Sequence, residues 1–316
     1  MLYIQSQQEQ GVKNRFDGCA AIGHRFLSWL IGPVLSQRYG IRYIYNDIVP
    51  EELDSGWNEF LGFDKIVPSK LNEIGAPQYS LENIKNYKII DMPRAPWDAR
   101  YDHPVILETI NKYKHTSITE DDNIVLKIPP GQGLEIDWSY WLNNDLREKY
   151  DFARQKNPVL LDNNSNYIDI VIHWRMGDIS QQNQPERWLA DKQYYILIQN
   201  IQNTLKQTNK KYTIKIVSEG NIQDFGCVRN LDVEFLLNED PKIAFHRLVA
   251  ANILVPAKSA FSTLACYLNK KIIFVIPFSI YFNQHYPHND NFKNMIDVDS
   301  DMDFDVNKIR SILKHE

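Results

Sequence analysis

Tyr167-Ile-Asp-Ile-Val-Ile-His-Trp-Arg-Met-Gly-Asp178 begins as an apolar, β-branched run and ends in an imidazole, a guanidinium, a glycine and a carboxylate. A near-continuous Val/Ile run predicts a strand buried on both faces, as in a parallel sheet, whereas a half-exposed strand would alternate. Open α/β sheets collect their ligands at the carboxyl ends of such strands. His173, Arg175, Gly177 and Asp178 therefore emerge together where chemistry is expected. Arginine suits that place because its planar, permanently charged fork grips a pair of phosphate oxygens. The plainer alternative is an ordinary strand end at which Arg175 and Asp178 form an ion pair.

Outward from this stretch the second half of the chain alternates. Strands are expected at Ile168–Trp174, Tyr212–Val217, Val233–Leu236, Ile253–Val255 and Ile272–Ile276, with helices at Asp191–Gln207, Pro241–Ala250 and Ser259–Leu268. Three more strands run into polar groups. Ser218-Glu219-Gly220 suits hydrogen bonding to ribose hydroxyls or a base edge. His246 rides on the helix after the third strand, where a histidine on an apolar face is commonly a satisfied core residue. Lys258, Ser259, Ser262 and Thr263 open a helix whose free N–H groups and hydroxyls could receive an anion, although Ser259 would also serve as a plain N-cap.

The first half is read in the same way, with strands at Leu2–Gln5, Ile41–Asn46, Tyr87–Asp91 and Asn123–Ile128. Helices are expected around Leu53–Leu61, over Pro104–Tyr113, and from a cap at Asp137 towards Arg154. Gly18 and Gly23 suggest a glycine-containing loop feeding a helix, with His24 and Arg25 at its mouth. A polar turn near Gln155–Asn166 marks the domain boundary, giving 1–156 and 157–316. After the acidic Asp297-Val-Asp-Ser-Asp-Met-Asp run comes a last helix, Val306–Leu313, which could pack back on the first domain.

Composition narrows the function. At 316 residues, two domains are the natural division, and 43% apolar with 12% aromatic residues can build real cores. A net charge of −5 and no basic stripe interleaved with aromatics argue against a nucleic-acid partner. Three scattered cysteines without a CxxC pair fit reduced thiols and offer no zinc signature. No apolar run approaches the ~20 residues of a membrane span, and no signal peptide is visible, so a soluble, cytoplasmic protein is expected. The terminal aspartates read as a solvated stretch, because carboxylates at alternate positions do not converge on one ion. Neither the serine-hydrolase elbow GxSxG nor the phosphate loop GxxxxGK[ST] occurs.

His173-Trp-Arg-Met-Gly-Asp178 resembles the HxRxGD motif of the fucosyltransferase-like GT-B glycosyltransferases. In order there follow Arg187-Trp-Leu, Val217-Ser-Glu-Gly220 with Asp224-Phe225, Ala244-Phe-His-Arg-Leu-Val-Ala-Ala-Asn252 and Lys258-Ser-Ala-Phe-Ser262. This succession is similar to that group's over about Ile168–Ile276; the first half shares only the Gly18–Phe26 loop. The resemblance implies a GT-B fold of two Rossmann-like domains whose parallel sheets face a central cleft. The first would take a glycan or glycoconjugate acceptor and the second a nucleotide sugar, GDP-fucose foremost, with UDP-xylose or a deoxyhexose donor behind it. It further implies inversion at the anomeric carbon and no required cofactor or metal.

By matching position, Arg175 would hold the β-phosphate and His173 orient it. Ser259, Ser262 and Thr263 would bind the pyrophosphate, Ser218 and Glu219 would lie by the ribose or base, and Gly23 and His246 would complete the donor site. The general base is left between Asp178 and His24, with Asp17 behind them. The sequence departs from the group's pattern in Met176, in Asn183 where some relatives carry a glutamate, and in Asn252 where an aspartate is frequent. A catalytically silent sugar- or nucleotide-binding protein is the competing class.

Overall fold

The computed structural model describes residues 1–6, 22–44, 48–49, 56–62, 84–95, 103–115, 123–129, 145–162, 166–177, 179–208, 210–276 and 294–314. The chain divides into two compact units, Met1–Asn157 and Pro158–Glu316. Each is an α/β unit built on a wholly parallel sheet.

In the first unit β1 (Leu2–Ser6), β2 (Arg42–Tyr43), β3 (Tyr87–Asp91) and β4 (Asn123–Ile128) lie in the order β2-β1-β4-β3. Ile4 and Leu126, in register on neighbouring strands, share a core with Ile31 and Leu35 of helix α1 (Ile22–Tyr39) and Ile106 and Ile110 of α3 (Pro104–Lys114). Between them in sequence falls the short α2 (Trp57–Leu61), and α4 (Asp145–Lys156) ends the unit. Helix α1 contains Pro33, whose missing N–H deprives the Trp29 carbonyl one turn earlier of its helical donor. Ser6, at the end of β1, supplies the replacement: its hydroxyl donates to Trp29 O at 2.7 Å and accepts from Gly32 N–H at 3.0 Å. The break in the helix is thus sealed by the strand it packs on.

In the second unit β5 (Ile168–His173), β6 (Tyr212–Ser218), β7 (Glu234–Leu237), β8 (Ile253–Val255), β9 (Ile272–Val275) and β10 (Met295–Asp297) form a six-stranded sheet ordered β10-β9-β8-β5-β6-β7. Numbered from its own first strand this is the doubly wound order 3-2-1-4-5-6, in which the winding reverses between the first and fourth strands. Here those are β5 and β8. All six residues of β5 are buried, as its Val/Ile run requires. Ile168, Ile170 and Ile172 face a core shared with Leu197, Ile198 and Ile201 of α5 (Asp191–Lys206) and Ile309 and Leu313 of α8 (Val306–Lys314), so the last helix is packed within its own unit. The helices α6 (Pro241–Ala250) and α7 (Ala260–Leu268) pack against each other, and α6 against β5.

The other set of β5 side chains includes Asp169, paired with Lys215 at 3.0 Å and accepting from Thr213 Oγ1 at 2.9 Å, all within the sheet. Asn252, just before β8, completes the group by accepting from Asp169 N–H at 2.9 Å. It sits at the amino end of the strands, opposite the ligand end, and its amide fastens β5 to β8.

Within Ile41–Asn46 the strand β2 spans Arg42–Tyr43, and within Leu53–Leu61 the helix spans Trp57–Leu61, residues 45–46 and 53–55 lying outside the described residues. β10 was not anticipated. The acidic run after it turns on itself: Asp299 Oδ1 accepts from the N–H groups of Asp301 and Asp303, and Asp305 Oδ1 caps α8 through Asn307 N–H. Among the described residues no helix is long and apolar enough to cross a membrane. Nor, among them, do three or more His, Cys, Asp or Glu side chains gather as metal ligands would.

Candidate functional site

The reversal of winding between β5 and β8 brings the carboxyl end of β5 beside the loop leading into α7. His173 is the last residue of β5 and only 7% exposed. Its ring lies 5.6 Å from that of Phe261 in the first turn of α7, and Phe261 in turn meets Phe245 of α6 edge-on at 5.4 Å. Burial, and then the neighbouring Arg175 charge, lower the imidazole pKa to about 3. His173 is therefore a neutral ring, and its Nδ1 is buried without a hydrogen-bond partner among the described residues. An unmet polar atom in such a place is expensive unless a ligand supplies the partner. The next residue, Trp174, turns to the opposite face, stacked on Tyr194 at 3.9 Å. Arg175 follows, half-buried and close enough to act on His173.

Opposite lies the start of α7. Ser259 is the N-cap, its hydroxyl accepting from Phe261 N–H at 3.3 Å. Ser262 and Thr263, expected at a pyrophosphate, turn their hydroxyls towards the helix start in this structure. Both are fully buried. Ser262 Oγ donates to the Ala257 carbonyl at 3.0 Å, with Ser259 O at 3.2 Å, and Thr263 Oγ1 donates to Ser259 O at 2.9 Å. Hydroxyls that bond back to carbonyls three to five residues earlier stiffen the helix start instead of facing a ligand. The anion-attracting element that remains is the backbone N-terminus of α7 itself.

A residue outside the expected set ties the two sides together. Arg187, in the 3₁₀ turn Pro185–Arg187 beyond β5, donates to the Lys258 carbonyl from Nε at 3.1 Å and Nη2 at 3.0 Å. Its Nη1 donates to Gln184 Oε1 at 2.7 Å. The fork thereby joins the segment after β5 to the residue before the α7 cap.

The end of β6 adjoins that of β5. Ser218, expected by the ribose or base, is buried, its hydroxyl donating to the Trp174 carbonyl at 2.7 Å with Glu219 O at 2.9 Å as further acceptor. It splices the two strand ends. Glu219 is exposed, and its Oε2 lies beside Gly177: a Cβ at Gly177, whose φ is 80°, would stand 3.0 Å from it. His246 is half-buried on α6, one residue past Phe245.

Gly23, expected in a loop feeding the helix, is buried in the first turn of α1, which begins at Ile22. Asp178, Asp17 and Gly18 lie outside the described residues, as does the side chain of His24. His173 and Arg175 thus follow one another at the β5 exit, Glu219 lies beside Gly177 of the same exit, and Ser218, Ser262 and Thr263 bond to nearby carbonyls.

No known protein family matches the sequence. No curated protein matches it either. Among solved structures the chain is similar to apo POFUT1, at TM-score 0.42 and 10% identity, covering 85% of this chain and 94% of that one. POFUT1 in complex with GDP-fucose gives 0.38 and 10% over 85% and 93%. An E. coli ADP-heptose lipopolysaccharide heptosyltransferase II gives 0.38 and 11% over 99% and 97%. Likeness this distant carries no argument about substrate or mechanism; the α/β class rests on the two parallel sheets.

Proposed function

We propose that the protein is an inverting glycosyltransferase of the GT-B type, moving a sugar from a nucleotide sugar to a hydroxyl of a glycan or glycoconjugate. The C-terminal unit would take the donor and the N-terminal unit the acceptor. One observation carries the reading: at the switch point of a doubly wound sheet a neutral His173, its Nδ1 unsatisfied among the described residues, lies 5.6 Å from Phe261 in the first turn of α7 with the Arg175 charge acting on it. Departure of a nucleoside diphosphate places growing negative charge on its β-phosphate, and preorganised cations and N–H donors act where that charge develops. With Arg175 and the helix end in that role, the reaction would need no metal. GDP-fucose is the first donor to test, on the strength of the HxRxGD resemblance. Asp178 is the first candidate for the base that deprotonates the acceptor, and His24 the second.

The test is a panel of nucleotide sugars read by thermal shift and by release of nucleoside diphosphate, with metal added and chelated. GDP-fucose alone raising the melting temperature and being turned over, with or without chelator, supports the full proposal. A UDP- or TDP-sugar doing so retains the enzyme and changes the donor. Stabilisation without release by any donor or acceptor favours a binding protein, and no response to the panel overturns the nucleotide reading.

A further inference from the structure

Asn238 directly follows the last residue of β7. Its backbone is left-handed, φ 56°, a conformation asparagine tolerates better than most side chains. From there it holds the neighbouring strand end at three points. Its N–H donates to the Ser218 carbonyl at 2.9 Å. Its side-chain Oδ1 accepts from Gly220 N–H at 3.0 Å, while Nδ2 donates to the Gly220 carbonyl at 2.9 Å. The residue between the two clamped positions is Glu219.

Gly220 must be glycine for this turn, because its φ is 109° and a Cβ would stand 2.9 Å from Asp224 Oδ2. Asn238 is itself anchored. The next residue, Glu239, receives Arg247 Nε on both carboxylate oxygens, at 3.0 and 2.9 Å, and Asp240 caps α6 through Lys242 N–H at 2.8 Å. Arg247 is 7% exposed, so the pair is a fixed post. The Glu219 backbone is consequently fixed between Ser218 and Gly220, and its exposed carboxylate lies beside Gly177 at the β5 exit. Among the described residues no hydrogen bond or ion pair engages this exposed carboxylate. In sheets of this strand order, however, the end of the second strand is where an acidic side chain meets a ribose hydroxyl.

We propose that Asn238 is a positioning residue that sets Glu219 against the ribose of a bound nucleotide. The inference rests on the nucleotide-sugar reading above. It requires that Asn238 act through Glu219, which a double-mutant cycle isolates. Asn238→Gly keeps the left-handed backbone accessible and removes the side-chain clamp. It should raise the donor KM on the order of tenfold with kcat within about twofold, the pattern of lost ground-state binding. Glu219→Gln should raise KM comparably, and adding Asn238→Gly to it should change KM by less than about twofold. Should Asn238→Gly fail to fold, Asn238→Asp retains the acceptor for Gly220 N–H and loses the donor to its carbonyl, and the same cycle applies. Equal penalties in both backgrounds, a fall in kcat at constant KM, or a single variant indistinguishable from wild type each overturns the positioning role. A wild-type protein that neither binds nor turns over any nucleotide sugar overturns the functional reading beneath it. The two failures are thereby told apart.

Discussion

Arg175 and His173 stand two residues apart and carry different chemistry because their surroundings differ. Arg175 stands half-buried at the strand exit, whereas His173 is enclosed by β5 and Phe261 and held neutral. On the proposed reaction, Arg175→Ala removes charge stabilisation from the leaving diphosphate, and turnover should fall on the order of a hundredfold or more while the fold persists. Stopped or steady-state release of nucleoside diphosphate measures it, and near-normal turnover would move the diphosphate elsewhere.

His173 makes a separate prediction about pH. Its folded pKa, about 3, lies below the ordinary 6.5, so between those values the unfolded chain binds a proton that the folded chain refuses. The stability contributed by neutral His173 is complete above about pH 6.5 and is lost as pH falls towards 3, at about 1.4 kcal/mol per pH unit. Its imidazole NMR signals should stay flat from pH 8 to 5, and His173→Asn should flatten the acid limb of the stability profile. A titration midpoint near 6.5 would contradict the enclosed ring.

At the scale of elements, the site depends on α7 keeping its N-terminus opposite the β5 exit, and Arg187 is the tie. Its two donors on one carbonyl are charge-assisted, a class worth about 1.5–3 kcal/mol where geometry is good. Arg187→Met should therefore weaken nucleoside diphosphate binding by roughly tenfold or more, as calorimetric titration would read, with Arg187→Lys between it and wild type. Unchanged affinity in both would leave the tie without a functional consequence.

Much of this framework is legible in sequence because it is repetitive. Tyr87–Asp91, Asn123–Ile128, Ile253–Val255 and Pro241–Ala250 are bounded as their apolar periods and turn residues predict. β10 is not, since two apolar residues before an acidic run give no period to detect. The partners of the Ser262 and Thr263 hydroxyls are hidden in sequence for another reason. Whether a helix-start hydroxyl faces a ligand or an earlier carbonyl depends on its rotamer and burial, which spacing does not encode. Asn238 did leave a signal, in the Asn-Glu-Asp-Pro turn after an apolar run, because asparagine combines tolerance of left-handed backbone with an amide that pairs with backbone groups.

For the molecule as a whole, the two units own separate hydrophobic cores, one around Ile4, Leu126 and Ile110, the other around Ile170, Ile172 and Ile201. Chains organised in this way commonly depart from two-state unfolding. The nucleotide site proposed here is drawn entirely from the second core's strand ends. A ligand stabilises only the states that bind it, by about 2.7 kcal/mol at a hundredfold excess over Kd. Urea unfolding should accordingly show two transitions, followed separately by hydrogen exchange of β1–β4 and β5–β9 peptides. Nucleoside diphosphate should delay the second set and leave the first within error. Equal delay of both would mean that the units unfold as one cooperative body, while delay confined to the first would transfer the nucleotide to the N-terminal sheet and empty the β5–β8 switch point of its proposed role.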